Sequence, residues 1–156
     1  MKTRFSYARS APGVFDAMES LDDHVRESGL ERPLVLLIQL RASQLNGCAY
    51  CLDMHSKDLR AIGETEQRIY SLDAWRECPY YTERERAALE WTEAVTLVAD
   101  GHVPDSVYEA VRPRFTEQEL AVLTLAIAAI NAWNRLSIAA RILPGSYQPA
   151  AQEAVG

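Results

Sequence analysis

The 156-residue sequence has no run of like charge, no internal repeat, and no strand-length stretch in which apolar and polar residues alternate. Each absence narrows the field. Nucleic acids and anionic membrane surfaces select clustered lysine and arginine, so a net charge of −6 carried by interleaved residues argues against either as the main partner. Without period-two alternation bounded by turns there is nothing to seed a sheet. Seven glycines and seven prolines, beside 48% hydrophobic residues, are too few for a disordered chain. Residues Met1 to Ser10 lack the apolar core of a secretory signal, which predicts a cytoplasmic protein. Only three cysteines are present, Cys48, Cys51 and Cys78. In a reducing compartment a close pair reads as catalytic, redox-active or metal-binding rather than as a staple.

What is present is helical periodicity. Val14, Phe15, Met18, Leu21 and Val25 recur at three- and four-residue intervals from Pro12 to Ser28, with Gly29 as the stop. Pro33 opens an apolar helix to Leu45 that Asn46-Gly47 ends. Helices are then expected from Cys48 to Ile62, from Thr65 to Trp75, and from Thr82 to Asp100. A short one follows Asp105, and a last long one starts at Thr116 and ends by Pro144-Gly145. Thr82 with Glu85 and Thr116 with Glu119 are capping-box signatures. Leu120 to Trp133 is apolar apart from Thr124 and Asn131, too short for a bilayer and suited to the centre of a bundle. The reading is one all-α domain over residues 1–156, with about six or seven helices, a core over 12–142 and a loosely held tail to Gly156.

The chemistry gathers at Cys48, Cys51 and His55. Spaced i, i+3 and i+7 on a helix, these residues lie within roughly 60° of one another. A helix restarting after Gly47 places both cysteines in its first turn, where free N–H groups and the dipole favour thiolates. His55, four residues after Cys51, is placed to exchange a proton with that thiol. Cys48 and Cys51 are at a separation compatible with a disulfide across one turn. One thiolate could attack an electrophilic atom and the other resolve the oxidised sulfur. The same three residues could ligate zinc, but the sequence offers no good fourth ligand, since Cys78, His24 and His102 are isolated. A thioredoxin-like reading fails for want of a preceding strand.

The segment Leu40-Arg41-Ala42-Ser43-Gln44-Leu45-Asn46-Gly47-Cys48-Ala49-Tyr50-Cys51-Leu52-Asp53-Met54-His55, continuing into Ala61-Ile62-Gly63-Glu64-Thr65-Glu66, resembles the signature of the carboxymuconolactone decarboxylase superfamily in its alkyl hydroperoxidase D (AhpD)-like branch. Trp75-Arg76-Glu77, Thr82 to Ala88, Trp91-Thr92-Glu93-Ala94 and Ala129 to Arg135 are similar to that branch as well. The resemblance implies an AhpD-like helical bundle forming homo-oligomers, trimers or hexamers, and a peroxidase cycle with no metal or organic cofactor. Cys51 would attack the peroxide, Cys48 would resolve it, and His55 would relay protons. The substrate would be a small hydroperoxide, and an external dithiol or lipoylated protein would regenerate the thiols.

One position departs from the pattern. AhpD-like peroxidases carry a relay glutamate twelve residues before the first cysteine, where this chain has Leu36, and nearby Gln39 cannot act as a base. Glu93 and Glu90 are candidate substitutes, and Tyr50 could donate a hydrogen bond into the site. Two other functions stay open: the cofactor-free lactone decarboxylation that names the superfamily, and a non-enzymatic redox-sensing oligomer. The role of Cys78 is undetermined.

Overall fold

Cap chemistry and proline placement set most of the helix starts. The computed structural model describes residues 1–149, and among them eight α-helices, one 3₁₀ helix and no strand. They are α1 (Tyr7–Ser10), α2 (Pro12–Glu27), α3 (Arg32–Asn46), α4 (Ala49–Ala61), α5 (Glu66–Tyr70), a 3₁₀ turn over Leu72–Glu77, α6 (Glu83–Thr96), α7 (Asp105–Val111) and α8 (Glu117–Ala140). Prolines sit in the first turns of α2 and α3, where a missing N–H costs nothing. Both expected capping boxes form, Thr82 with Glu85 on α6 and Thr116 with Glu119 on α8.

Helix ends differ from the sequence expectation at several points. The helix expected over Thr65 to Trp75 breaks at Ser71 into α5 and the 3₁₀ turn. That break and the four-residue α1 account for the larger number of helices. The helix from Glu83 stops at Thr96 rather than Asp100. The last helix ends at Ala140, where Arg141 takes a left-handed conformation (φ 54°), and not at Pro144-Gly145.

Helix α3 divides the core. Leu34 and Ile38 pack with Val25, Ala88, Trp91, Leu123 and Ile127 on one side. Leu36, Leu37 and Leu40 pack with Leu59, Leu72, Trp75 and Leu89 on the other. Each such Leu or Ile contributes about 1.5–3 kcal/mol by leaving water. Helix α8 packs against α2, α3, α4 and α6, the central place its composition predicts. By length and composition it could cross a membrane, and 39% of its most apolar stretch is buried within the fold.

A polar lattice fixes the end of α3 against α8. Asn46 Nδ2 donates to the side-chain oxygens of Asn131 (3.0 Å) and Asn134 (2.8 Å). Asn134 Nδ2 donates to Ser43 Oγ (3.0 Å), and Asn131 Nδ2 to Thr96 Oγ1 (3.0 Å). Asn131, Asn134, Ser43 and Thr96 are buried, so each bond also spares the cost of an unpaired polar group. The residue before Gly47 is thereby anchored, and with it the start of α4.

After α8 the chain returns across α4. The Gly145 N–H donates to Asp53 Oδ2 (3.0 Å), Lys57 Nζ to the Tyr147 carbonyl (3.0 Å), and the Tyr147 hydroxyl to Asp58 Oδ1 (2.7 Å). This part of the expected loose tail is a docked strap. The remainder of that expectation lies outside the described residues.

Candidate active site

Gly47 creates the site. Its φ of 66° is left-handed, and its N–H together with that of Cys48 closes the end of α3 on the Gln44 and Ser43 carbonyls. Cys48 is thereby placed in extended conformation as the N-cap of α4, one residue earlier than a first-turn position. Its sulfur takes the capping role, accepting the Cys51 N–H at 3.4 Å. Cys48 and Cys51 are joined as a disulfide, with Cα atoms 5.4 Å apart, and each is 1% exposed.

His55 lies one turn beyond Cys51 and is 4% exposed. Neither ring nitrogen has a hydrogen-bond partner among the described residues. Burial takes its pKa down from 6.5 to about 4, so at neutral pH the ring is an uncharged base. The nearest carboxylate is Asp58, whose Oδ2 stands 4.0 Å from Nδ1. Burial raises the Asp58 pKa, partly offset by the Tyr147 hydroxyl and the positive charge of Arg32. Burial and the Asp58 carboxylate together raise that of Tyr147.

The candidate relay groups fall in different surroundings. Glu93 accepts from Arg41 Nε (2.8 Å), Trp75 Nε1 (2.8 Å) and Arg76. Burial pushes its pKa upward, but the Trp75 and Arg76 hydrogen bonds and the Arg41 charge outweigh this and hold it below the ordinary value. A carboxylate so committed is a weak proton acceptor. Glu90 is half-buried, 3.9 Å from Arg76 Nη2. Tyr50 is half-buried on α4, within electrostatic range of Tyr147. Leu36 is buried in the second core cluster and borders a cavity of about 430 Å³ between α2 and α3, which Gln39, Arg32, Arg26 and Asp22 also line. Cys78 is half-buried, its Sγ 3.9 Å from the Ser71 carbonyl, and packs on the second cluster. His24 and His102 are exposed. Among the described residues no group of three or more His, Cys, Asp or Glu is arranged to hold a metal ion.

Asp58 and Tyr147 were not legible as site residues. Asp58, at i+3 from His55, is the one signal the sequence held; Tyr147 comes from 89 residues further along the chain.

An all-α frame that presents a cysteine pair at a helix start, with a buried histidine one turn on, defines an AhpD-like domain. The chain belongs to the carboxymuconolactone decarboxylase family, whose sequence profile matches residues 12–94. It is 46% identical over 139 residues to the uncharacterized protein YdfG of Bacillus subtilis, covering 89% of this chain and 95% of that one. It also superimposes on the crystal structure of ATU0492 from Agrobacterium tumefaciens, a protein of unknown function provisionally designated antioxidant defence protein AhpD. There the TM-score is 0.87 at 46% identity, covering 96% and 99% of the two chains. An uncharacterized peroxidase-related protein from Ralstonia eutropha, an alkylhydroperoxidase AhpD core, shares the fold at a TM-score of 0.78 and 21% identity, over 89% of this chain and 74% of that one.

Proposed function

We propose that this protein is a thiol-dependent hydroperoxide reductase in which Cys51 attacks the peroxide, Cys48 resolves it and His55 carries the proton. The observation that carries this reading is the Cys48–Cys51 disulfide at the start of α4 with, one turn on, an uncharged histidine that has no hydrogen-bond partner among the described residues. The disulfide is the product such a cycle would leave. The antioxidant designation of ATU0492 supports the same chemistry. We further propose a cytoplasmic homo-oligomer, regenerated by an external dithiol or a lipoylated protein.

The reduced protein, mixed with cumene hydroperoxide and dithiothreitol, is expected to consume peroxide, and Cys51→Ser to abolish that consumption. In Cys48→Ser, a sulfenic acid trapped on Cys51 is the expected mass-spectrometric product; one trapped on Cys48 in Cys51→Ser would reverse the assigned roles. Lactone turnover that survives Cys51→Ser would move the protein to decarboxylation. A parent protein that cycles its disulfide without consuming peroxide would make it a redox sensor, a reading that the buried leucine at position 36 favours. Sedimentation above the mass of one 17.5 kDa chain is expected for the oligomer.

A further inference from the structure

A buried histidine with neither nitrogen partnered among the described residues is costly, since each such group forgoes a hydrogen bond it would make in water. Its neighbour on the next turn of α4 is Asp58, 4.0 Å from Nδ1, beyond hydrogen-bond length. At that distance the carboxylate does not offset the burial that keeps the ring neutral. The other carboxylate oxygen is held by the Tyr147 hydroxyl at 2.7 Å. Tyr147 in turn is fixed to the same helix by Lys57, which donates to its carbonyl and pairs with Asp53. Tyr147, Asp58 and His55 therefore stand in series, with Asp58 and His55 on α4, Cys51 one turn before His55 in sequence, and the step between Asp58 and His55 still open.

We propose that Asp58 is the positioning carboxylate of His55 in the thiol reaction, doing what Leu36 cannot, and that Tyr147 on the strap anchors it. The inference rests on the peroxide reading above. In the reduced protein Asp58 accepts the Nδ1–H of the neutral ring, which leaves Nε2 free to take the proton of the Cys51 thiol. The Cys51 thiolate attacks the terminal peroxide oxygen; the S–O bond forms as the O–O bond breaks. The electron pair leaves on the alkoxide, which takes the proton back from Nε2 and departs as the alcohol. Cys51, oxidised to a sulfenic acid, is attacked by Cys48. The S–S bond forms, and the hydroxyl leaves as water with the Cys48 proton. Two electrons from the external dithiol then reopen the disulfide.

The test combines kinetics with the ring's tautomer. In Asp58→Asn the amide oxygen keeps the Tyr147 hydroxyl and turns the NH₂ towards Nδ1, so His55 is forced to the Nε2–H tautomer. Nitrogen-15 NMR of the reduced protein is expected to show Nδ1–H in the parent and Nε2–H in Asp58→Asn. Cumene hydroperoxide turnover should fall about a hundredfold in Asp58→Asn, and Asp58→Glu should recover most of it. Tyr147→Phe, which leaves the carboxylate in place but unanchored, should shift the pH profile of turnover. It also carries the test if Asp58→Asn does not fold. An unchanged tautomer in Asp58→Asn, or an unchanged rate and pH profile in Asp58→Asn and Tyr147→Phe, overturns the inference. A parent that consumes no peroxide yet switches tautomer in Asp58→Asn overturns the peroxide reading and leaves the pairing standing.

Discussion

His55 couples the chemistry of the site to the stability of the molecule. In the unfolded chain its pKa is near 6.5, and in the fold burial takes it to about 4. Between those values the unfolded state binds a proton that the folded state refuses, so this contribution to stability is whole above about pH 6.5 and lost as the pH falls through about 4. Asp58 and Asp22, whose pKa values are raised by burial, act in the opposite sense. Comparison with His55→Leu separates the two effects. Guanidinium midpoints measured from pH 7 to 4 on the oxidised proteins should fall more steeply in the parent, and parallel curves would refute the buried neutral ring.

Helix α4 begins where it does because Gly47 turns left-handed. A Cβ at Gly47 would meet nothing within 4 Å, so Gly47→Ala carries a backbone penalty alone, about 1–2 kcal/mol. Gly13, in the first turn of α2 without a positive φ, has the same open surroundings, and Gly13→Ala should be neutral or stabilising. Thermal melts of the two variants should move in opposite directions or differ by several degrees. Such local features were the legible part of the fold. The Asn46-Gly47 stop, the two capping boxes and the helix bearing Cys48, Cys51 and His55 depend only on residues within a turn or two of one another. The break at Ser71 did not show, because neither proline nor glycine marks it. The commitment of Glu93 to Arg41, 52 residues away, left no trace in helical spacing either. The Tyr147 to Asp58 bond was hidden for the same reason: nothing local announces a partner that far along the chain.

The two halves of the core share α3, which sends Leu34 and Ile38 one way and Leu36, Leu37 and Leu40 the other. Neither half can be lost without exposing the far face of that helix, so they should melt as one domain. Leu59→Ala, in the second half, should cost about 2–5 kcal/mol. Its unfolding curve should be the same whether followed at Trp75 in that half or at Trp91 in the first, using single-tryptophan variants. Two separated transitions would mean the halves are independent. The disulfide also bears on the whole chain, through the size of the ring it closes. Its cysteines are three positions apart, so the loop is a single helical turn. Cross-linking so small a loop removes little freedom from the unfolded chain, about 2 kcal/mol against about 4.7 for a loop of 100 residues. Opening the bond therefore releases less than half the chain entropy that a long-loop disulfide would release, so charging and discharging the molecule with electrons draws comparatively little on the stability of its frame.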